Sequence, residues 1–286
     1  MSENKILFGD CLVLLSDIPN KSIDLILADL PFQKTKNIWD RKIPLLDYII
    51  IVGKRKKVQQ LNHDQFMIWC YKQGISLDEC TERWDIEHKK GLWYHYERII
   101  KDNGAILLFG QDKFSAELMC SNPKLHRYNL IYEKTTATGH LNANEAPMRA
   151  HEDILVFYKQ LPTYNPQKTY GHVRKVSTAS HKRNSKKTTN YGEHGLTSYD
   201  STERYPRSVI KFKTDKQRSK LHATQKPLAL IEYLIKTYSN EGDLVLDNVA
   251  GSGTTGEAAE NLGRKYILME NDPQSFETIK QRLNIQ

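Results

Sequence analysis

Residues 243–270, DLVLDNVAGSGTTGEAAENLGRKYILME, constrain the fold of this chain more than any other stretch. An apolar run ends at Asp247, a loop carries Gly251, Gly253 and Gly256, an Ala-rich helical pattern follows, and a second apolar run ends at Glu270. Strand, glycine loop, helix and strand in that order predict a βαβ unit and hence a parallel sheet. Glycines let a ligand approach the backbone closely, and the free amides at a helix start attract an anion. GSGTTG satisfies the GxGxxG dinucleotide fingerprint, a weak signal by itself. Glu270, 23 positions after Asp247, is placed to hold a ribose diol, so the block points to an adenosine-containing cofactor, NAD or S-adenosylmethionine.

Short apolar runs recur at 5–8, 24–28, 105–109, 129–133, 153–158, 243–247 and 265–270. Helical patterns such as LWYHYERII and PLALIEYLIKTY separate several of them, which predicts an α/β, doubly wound, mostly parallel sheet. With 286 residues the chain can build one large domain of this kind carrying an insertion. The glycine loop begins only 35 residues before the last residue, yet a nucleotide-binding half needs further strands. Those strands are expected from the N-terminal part, which makes the sheet circularly permuted. Ligand sites in such sheets gather at the carboxyl ends of strands, where Asp10, Asp29, Gly110, Asp247 and Glu270 all fall.

DLILADLPFQK at 24–34 delivers Asp29 from a buried strand straight into Leu30, Pro31 and Phe32. Asp and Pro are ordinary turn formers, so the stretch alone is compatible with a plain strand-to-turn junction. The charge distribution adds a second constraint. Residues 159–220 hold 15 Lys and Arg against four acids, a local net charge of +11 within a total of +8. Tyrosines 164, 170, 191, 199 and 205 and Phe212 lie among these cations, a mixture suited to gripping phosphates and stacking on bases. A merely solvated charged loop is the alternative.

Residues 45–91 read as a helical insertion that serves as a lid, a dimer contact or, preferred here, a surface addition. Cys11, Cys70, Cys80 and Cys120 show no CxxC spacing and are expected to be reduced packing residues, with no metal site. No run reaches ~18 apolar residues and the opening MSENKILFGD lacks a signal-peptide pattern, so the expectation is a soluble, intracellular protein without membrane contact.

Asp29-Leu30-Pro31-Phe32 early, the basic segment in the middle and Asp247 to Thr255 late together resemble the amino-group DNA methyltransferases with the permuted β-class order. There a [DNS]PP[YFW] tetrapeptide precedes the target-recognition region, which precedes an FxGxG cofactor loop. HATQKP at 222–227 looks like the family's HPTQKP element, and GDCLVLLSDIPNKSIDLILADLPF looks like its usual opening. Leu30 stands where proline is usual and Val249 where phenylalanine is usual. The resemblance implies a class I S-adenosylmethionine-dependent methyltransferase fold. Its catalytic domain comprises 1–44, 92–159 and 221–286, and 160–220 is a basic target-recognition region. It also implies a prokaryotic or phage-like cytoplasmic enzyme acting on DNA, with a homodimer as a possible assembly.

The chemistry explains the motif. The exocyclic amine of adenine is a poor nucleophile, because its lone pair is delocalised into the ring. An acceptor must hold its N–H groups while the nitrogen turns toward the methyl donor. Asp29 supplies one acceptor and the Leu30 carbonyl a second, Pro31 stiffens the turn, and Phe32 offers a stacking face for a flipped base. For the cofactor the candidates are Asp10 at the adenine, Glu270 at the ribose, Asp247, the Gly251 and Gly253 backbone, and the Thr254 and Thr255 hydroxyls. His222 and Lys226 are assigned to the methionine carboxylate. Arg174, Arg183, Arg204 and Arg207 are generic candidates for guanine readout. N6 of adenine is the expected target and N4 of cytosine the runner-up. An NAD-dependent dehydrogenase and a non-catalytic DNA-binding protein are the readings from other classes.

Overall fold

A computed structural model describes residues 4–31, 42–52, 58–76, 79, 84–178, 198–213 and 225–285. In chain order its principal elements are β1 (Lys5–Phe8), α1 (Cys11–Leu14), β2 (Ile23–Ala28), β3 (Tyr48–Val52), β4 (Val58–Asn62), α2 (His63–Gln73) and β5 (Asp85–Lys89). Then come α3 (Leu92–Ile99), β6 (Ile100–Gly110), α4 (Lys113–Ser121), β7 (His126–Thr138), β8 (Arg149–Phe157), β9 (Lys175–Ser177), β10 (Tyr199–Ser201) and β11 (Val209–Phe212). The chain closes with α5 (Leu228–Tyr238), β12 (Leu244–Asp247), α6 (Thr254–Asn261), β13 (Lys265–Glu270) and α7 (Pro273–Arg282).

Eight strands form one sheet in the order β1-β13-β12-β2-β6-β8-β7-β11, and every pairing is parallel except the two that β8 makes. Both faces are apolar because side chains alternate across the sheet and both sides are covered. Ile26, Ala28, Ile106, Leu108, Leu246, Ile267 and Met269 pack on one side with Trp93 and Tyr96 of α3 and Phe114 of α4. Leu25, Leu27, Leu107, Phe109, Val245 and Leu268 pack on the other with Leu230 and Leu234 of α5, Ala258 and Ala259 of α6 and Ile279 of α7.

The permutation is visible in the pairing. The first strand runs beside the last, with Phe8 opposite Glu270. Strand β12, near the C-terminal end of the sequence, lies against β2, with Val245 opposite Leu25 and Leu246 opposite Ile26. On one side of this pair the sheet continues through β13 and β1, and on the other through β6. The β12–β2 junction is therefore the switch point, where open α/β sheets form a crevice beyond the strand ends.

Two expectations about the interrupting segments need correction. The described residues of 45–91 are not purely helical: β3 is the centre of a three-stranded antiparallel sheet, order β4-β3-β5, and α2 packs on it. Ile49, Ile51, Phe66 and Cys70 form its own small core, with Trp69 and Trp84 edge to face at 5.2 Å. The tyrosine-and-isoleucine run YIIIV is strand-forming, and the polar residues around it mask that signal. The basic segment is also less separate than its composition implies, because β11 within it joins the main sheet beside β7. Cys11 and Cys70 are buried as expected and Cys120 is exposed; Cys80 lies outside the described residues. Among the described residues no helix is long and apolar enough to cross a membrane, and no cluster of side chains could hold a metal ion.

Candidate active site

Asp29 follows the last residue of β2 and Asp247 ends β12, so the two best sequence motifs emerge side by side from neighbouring strands. Around them the carboxylates form two corners of different character.

At the first corner, Asp29 keeps 35% of its side chain exposed, enough to be reached from outside, and its Oδ2 accepts a hydrogen bond from Lys226 Nζ at 2.5 Å. Lys226, just before α5, also lies 3.1 Å from Glu152 Oε2 as an ion pair, without the alignment of a hydrogen bond. Glu152 Oε1 is 2.5 Å from Lys134 Nζ. The Lys226 ammonium sits 4.8 Å from the centre of the Phe109 ring, a favourable place for a desolvated cation. Burial pushes the Asp29 carboxyl above its usual range, Lys226 opposes the shift and Glu152 adds to it. Burial would also raise Glu152, but Lys226 and Lys134 together hold it below its usual range. Lys226 stays firmly cationic: burial favours the neutral amine, and the two carboxylates outweigh it.

Leu30 shows why the missing proline is structurally tolerated. Its side chain is only 2% exposed and packs into the same core as Ile26 and Ala28. Pro31 is partly exposed at the turn. Phe32 and His222 lie outside the described residues, as does Arg183.

At the second corner the loop folds around its own carboxylates. Asp247 Oδ2 accepts from Thr255 Oγ1 at 2.6 Å and Oδ1 from the Val249 amide at 3.1 Å. With little else to stabilise its charge, burial pushes the Asp247 carboxyl up to about 7. Thr254 Oγ1 is 3.3 Å from Ser252 Oγ, and both hydroxyls are buried. Asp247, Thr254 and Thr255, expected to touch the cofactor, thus also make hydrogen bonds within the loop that brace it. Glu270 Oε2 accepts from the Gly251 amide at 2.8 Å, and Oε1 from the Asn271 and Asp272 amides at 2.9 Å each. Each carboxylate oxygen has a second lone pair direction, so Oε2 can still take a hydroxyl. Burial, the largest influence, leaves Glu270 above its usual range despite those amides.

Gly251 and Gly253 both have positive φ, +53° and +78°. A methyl group added at Gly251 would meet nothing within 4 Å, so the backbone borders open space, whereas one at Gly253 would stand 3.3 Å from Ile279. Asp10, exposed at the end of β1, caps α1 by accepting from the Leu12 amide at 2.8 Å. It lies beside Glu270, since the Gly9 amide donates to the Glu270 carbonyl at 2.9 Å. Asn248 Oδ1 accepts from the Tyr96 hydroxyl at 2.5 Å while its buried Nδ2 finds no partner among the described residues.

Where the sequence assigns Lys226 to a cofactor carboxylate, its ammonium is engaged by Asp29 and Glu152. Glu152 and Lys134 were not legible as site residues, because each lies just outside an apolar run, Lys134 after 129–133 and Glu152 before 153–158, where charged residues are ordinary. Tyr48 of the insertion lies near Asp10: burial, then the nearby charge of Asp10, raises its hydroxyl above the usual value. In the basic segment, Arg174 is bound by both oxygens of Asp200 at 2.7 and 2.5 Å. Arg204 donates to the Ser201, Glu203 and Val173 carbonyls, which makes it a structural rivet. Arg207 is exposed, has no such partner among the described residues, and borders a cavity of about 600 Å³ with Tyr205, Val209 and Tyr233.

Known proteins resemble the whole chain. The type II methyltransferase M.HinfI of Haemophilus influenzae is 28% identical over 98% of this chain and 68% of its own length. The DNA adenine methyltransferase YhdJ of Escherichia coli (strain K12) is 25% identical over 98% and 82%. Among solved structures, the M1.HpyAVI–SAM complex superposes with a TM-score of 0.57 at 20% identity, covering 98% of this chain and 99% of that one. The cytosine-N4-specific PvuII DNA methyltransferase superposes with a TM-score of 0.60 at 15% identity, covering 99% and 87%. The shared fold and the paired strand-end motifs agree with the match of a family model to residues 23–281: the chain belongs to the DNA methylase family N6_N4_Mtase.

Proposed function

We propose that this protein transfers a methyl group from S-adenosylmethionine to N6 of adenine in DNA, with the target base flipped out of the duplex. The observation that carries the reading is the reachable Asp29 carboxylate on the strand next to the glycine loop, at the switch point of the sheet. Open space against Gly251, a remaining acceptor direction on Glu270 Oε2 and the adjacent Asp10 fit an adenosine-bearing cofactor. In this reading Glu270 holds the ribose, Asp10 meets the adenine and the Gly251–Gly253 backbone borders the chain that carries sulfur. Bound there, the cofactor supplies an electrophilic methyl group on a sulfonium, whose sulfur keeps the bonding electron pair as the methyl leaves.

The protein's own part is alignment and acceptance, and alignment alone can contribute ~7–11 kcal/mol in favourable cases. Asp29 and the Leu30 carbonyl accept the two amine N–H groups, which draws electron density onto nitrogen. The proton surrendered by nitrogen passes to the Asp29 carboxylate and out through its exposed side. Phe32 stacks on the extruded base. Lys226 keeps Asp29 ionised. Aspartate at position 29 favours adenine, since the cytosine enzymes of this family more often carry serine there. The basic segment binds DNA, with Arg207 the exposed arginine available to phosphate or a base edge.

Nucleosides from duplex DNA treated with protein and S-adenosylmethionine, separated and weighed by mass spectrometry, test the proposal. N6-methyladenine is expected. N4-methylcytosine as the sole product overturns the adenine assignment, and no methylated nucleoside from DNA overturns the activity.

A further inference from the structure

We propose that Glu152 is a positioning residue for methyl transfer: itself anchored by Lys134, it shares the charge of the Lys226 ammonium that is hydrogen-bonded to Asp29, so that the Asp29 carboxylate keeps the strength to accept from the target amine. The inference rests on the role of Asp29 given above.

Four charges from four segments make the arrangement: Asp29 after β2, Lys226 before α5, Glu152 on β8 and Lys134 on β7, with Tyr132 of β7 opposite Glu152. Their side chains are progressively withdrawn from solvent, with Asp29 at 35% exposure, Glu152 and Lys226 at 18% and 17%, and Lys134 at 10%. The quartet is neutral as a whole, and only the Asp29 end opens outward. A charge this withdrawn is costly unless paired, so each member is held by the next.

The order of the charges matters as much as their sum. A lone ammonium 2.5 Å from a carboxylate in a site of low dielectric would dominate it, and the weak N–H donors of an aromatic amine would compete poorly. Glu152, 3.1 Å from the same ammonium, draws part of that field away. Lys134 in turn keeps Glu152 from capturing Lys226 outright. Strength as an acceptor and as a base follows the carboxylate's affinity for a proton, which Glu152 raises and both lysines lower. Asp247, on the neighbouring strand, also feels the charge of Asp29, which raises its carboxyl.

Two substitutions must act in opposite directions. In full-length protein labelled with ¹³C at aspartate carboxyls, with the Asp29 signal assigned by its loss in Asp29→Asn, Glu152→Gln is expected to lower the Asp29 titration midpoint by about one pH unit. Lys134→Met is expected to raise it. Because Asp247 gives its own signal, its titration is followed separately. At saturating DNA and cofactor, Glu152→Gln is expected to cut kcat about tenfold, move the acidic limb of the pH profile downward and change the cofactor KM less than twofold. Equal or same-direction midpoint shifts in the two variants overturn the sharing, and so does an unchanged kcat or a loss confined to KM. If the wild-type protein methylates no nucleic acid, the proposed function fails, while the substrate-free titrations still decide whether Glu152 shares Lys226.

Discussion

The two carboxylate corners at the switch point solve the same problem by different means. Around Asp29 buried charge meets opposite charge, in the Lys226–Glu152–Lys134 chain. Around Asp247 and Glu270 it meets neutral dipoles, a threonine hydroxyl and backbone amides. Dipoles fix position but compensate charge less completely, and Asp247 is correspondingly pushed up to about 7. A corner that leaves its negative charge partly uncompensated suits a cationic cofactor, which brings the missing positive charge with it. In the proposed reaction the corner at Asp29 receives a neutral amine and must carry its own cation.

The sharpest way to break this contrast is to remove the acceptor. Asp29→Ala is expected to reduce methyl incorporation by at least about 10²–10³-fold while DNA binding, followed by gel shift, is largely kept; retained turnover would remove Asp29 from the chemistry. Lys226→Met should follow, with kcat lowered about 10²-fold at neutral pH. Losing the cation raises the Asp29 carboxyl further, so the acidic limb of the kcat profile moves upward and activity partly recovers as pH rises. An unmoved limb would assign Lys226 to the cofactor instead.

The dipolar corner is tested by a pair of glycines. Gly251→Ala and Gly253→Ala each force a side chain into positive φ, a strain of about 1–2 kcal/mol, and Gly253→Ala also presses on Ile279. Calorimetry should show the larger Tm loss, several degrees, for Gly253→Ala, with only Gly251→Ala raising the cofactor KM, by roughly tenfold. The smallest effect is expected from Asp247→Asn. A carboxyl raised to about 7 in the fold contributes stability that is complete below pH about 4 and is lost as pH rises through about 7. The cofactor-free variant should therefore lose less Tm than wild type between pH 5 and pH 8; equal slopes would mean that Asp247 is stabilised by more than its two hydrogen bonds.

Much of the fold was readable along the chain because its signals are local. All seven apolar runs became strands of the main sheet, and LWYHYERII and PLALIEYLIKTY became α3 and α5. The short strands β9 and β10, and β11 within a basic segment, were not readable, because KVS, YDS and VIKF are too polar or too broken by charge to stand out as apolar runs. The insertion misled for a related reason: the helical pattern of α2 is the longest in it, and the sheet that α2 covers depends on pairings between β3, β4 and β5.

The candidate site divides in the same way. A carboxylate at a strand end, a glycine loop and a second acid one strand later are properties of neighbouring residues, so composition and order sufficed to nominate Asp29, Gly251, Gly253 and Glu270 as candidates. Which carboxylate faces a ligand and which faces inward depends on groups brought from far along the chain. Lys226 meets a carboxylate 197 positions away, and Glu152 and Lys134 enter because β7 and β8 pair antiparallel beside the site. By itself the sequence determined the parallel α/β sheet and its permutation, and it nominated the candidate acceptor. Only the tertiary structure decided how the acceptor's charge is balanced, since electrostatic energy in a buried site depends on distance and solvent exclusion, which residue order does not encode.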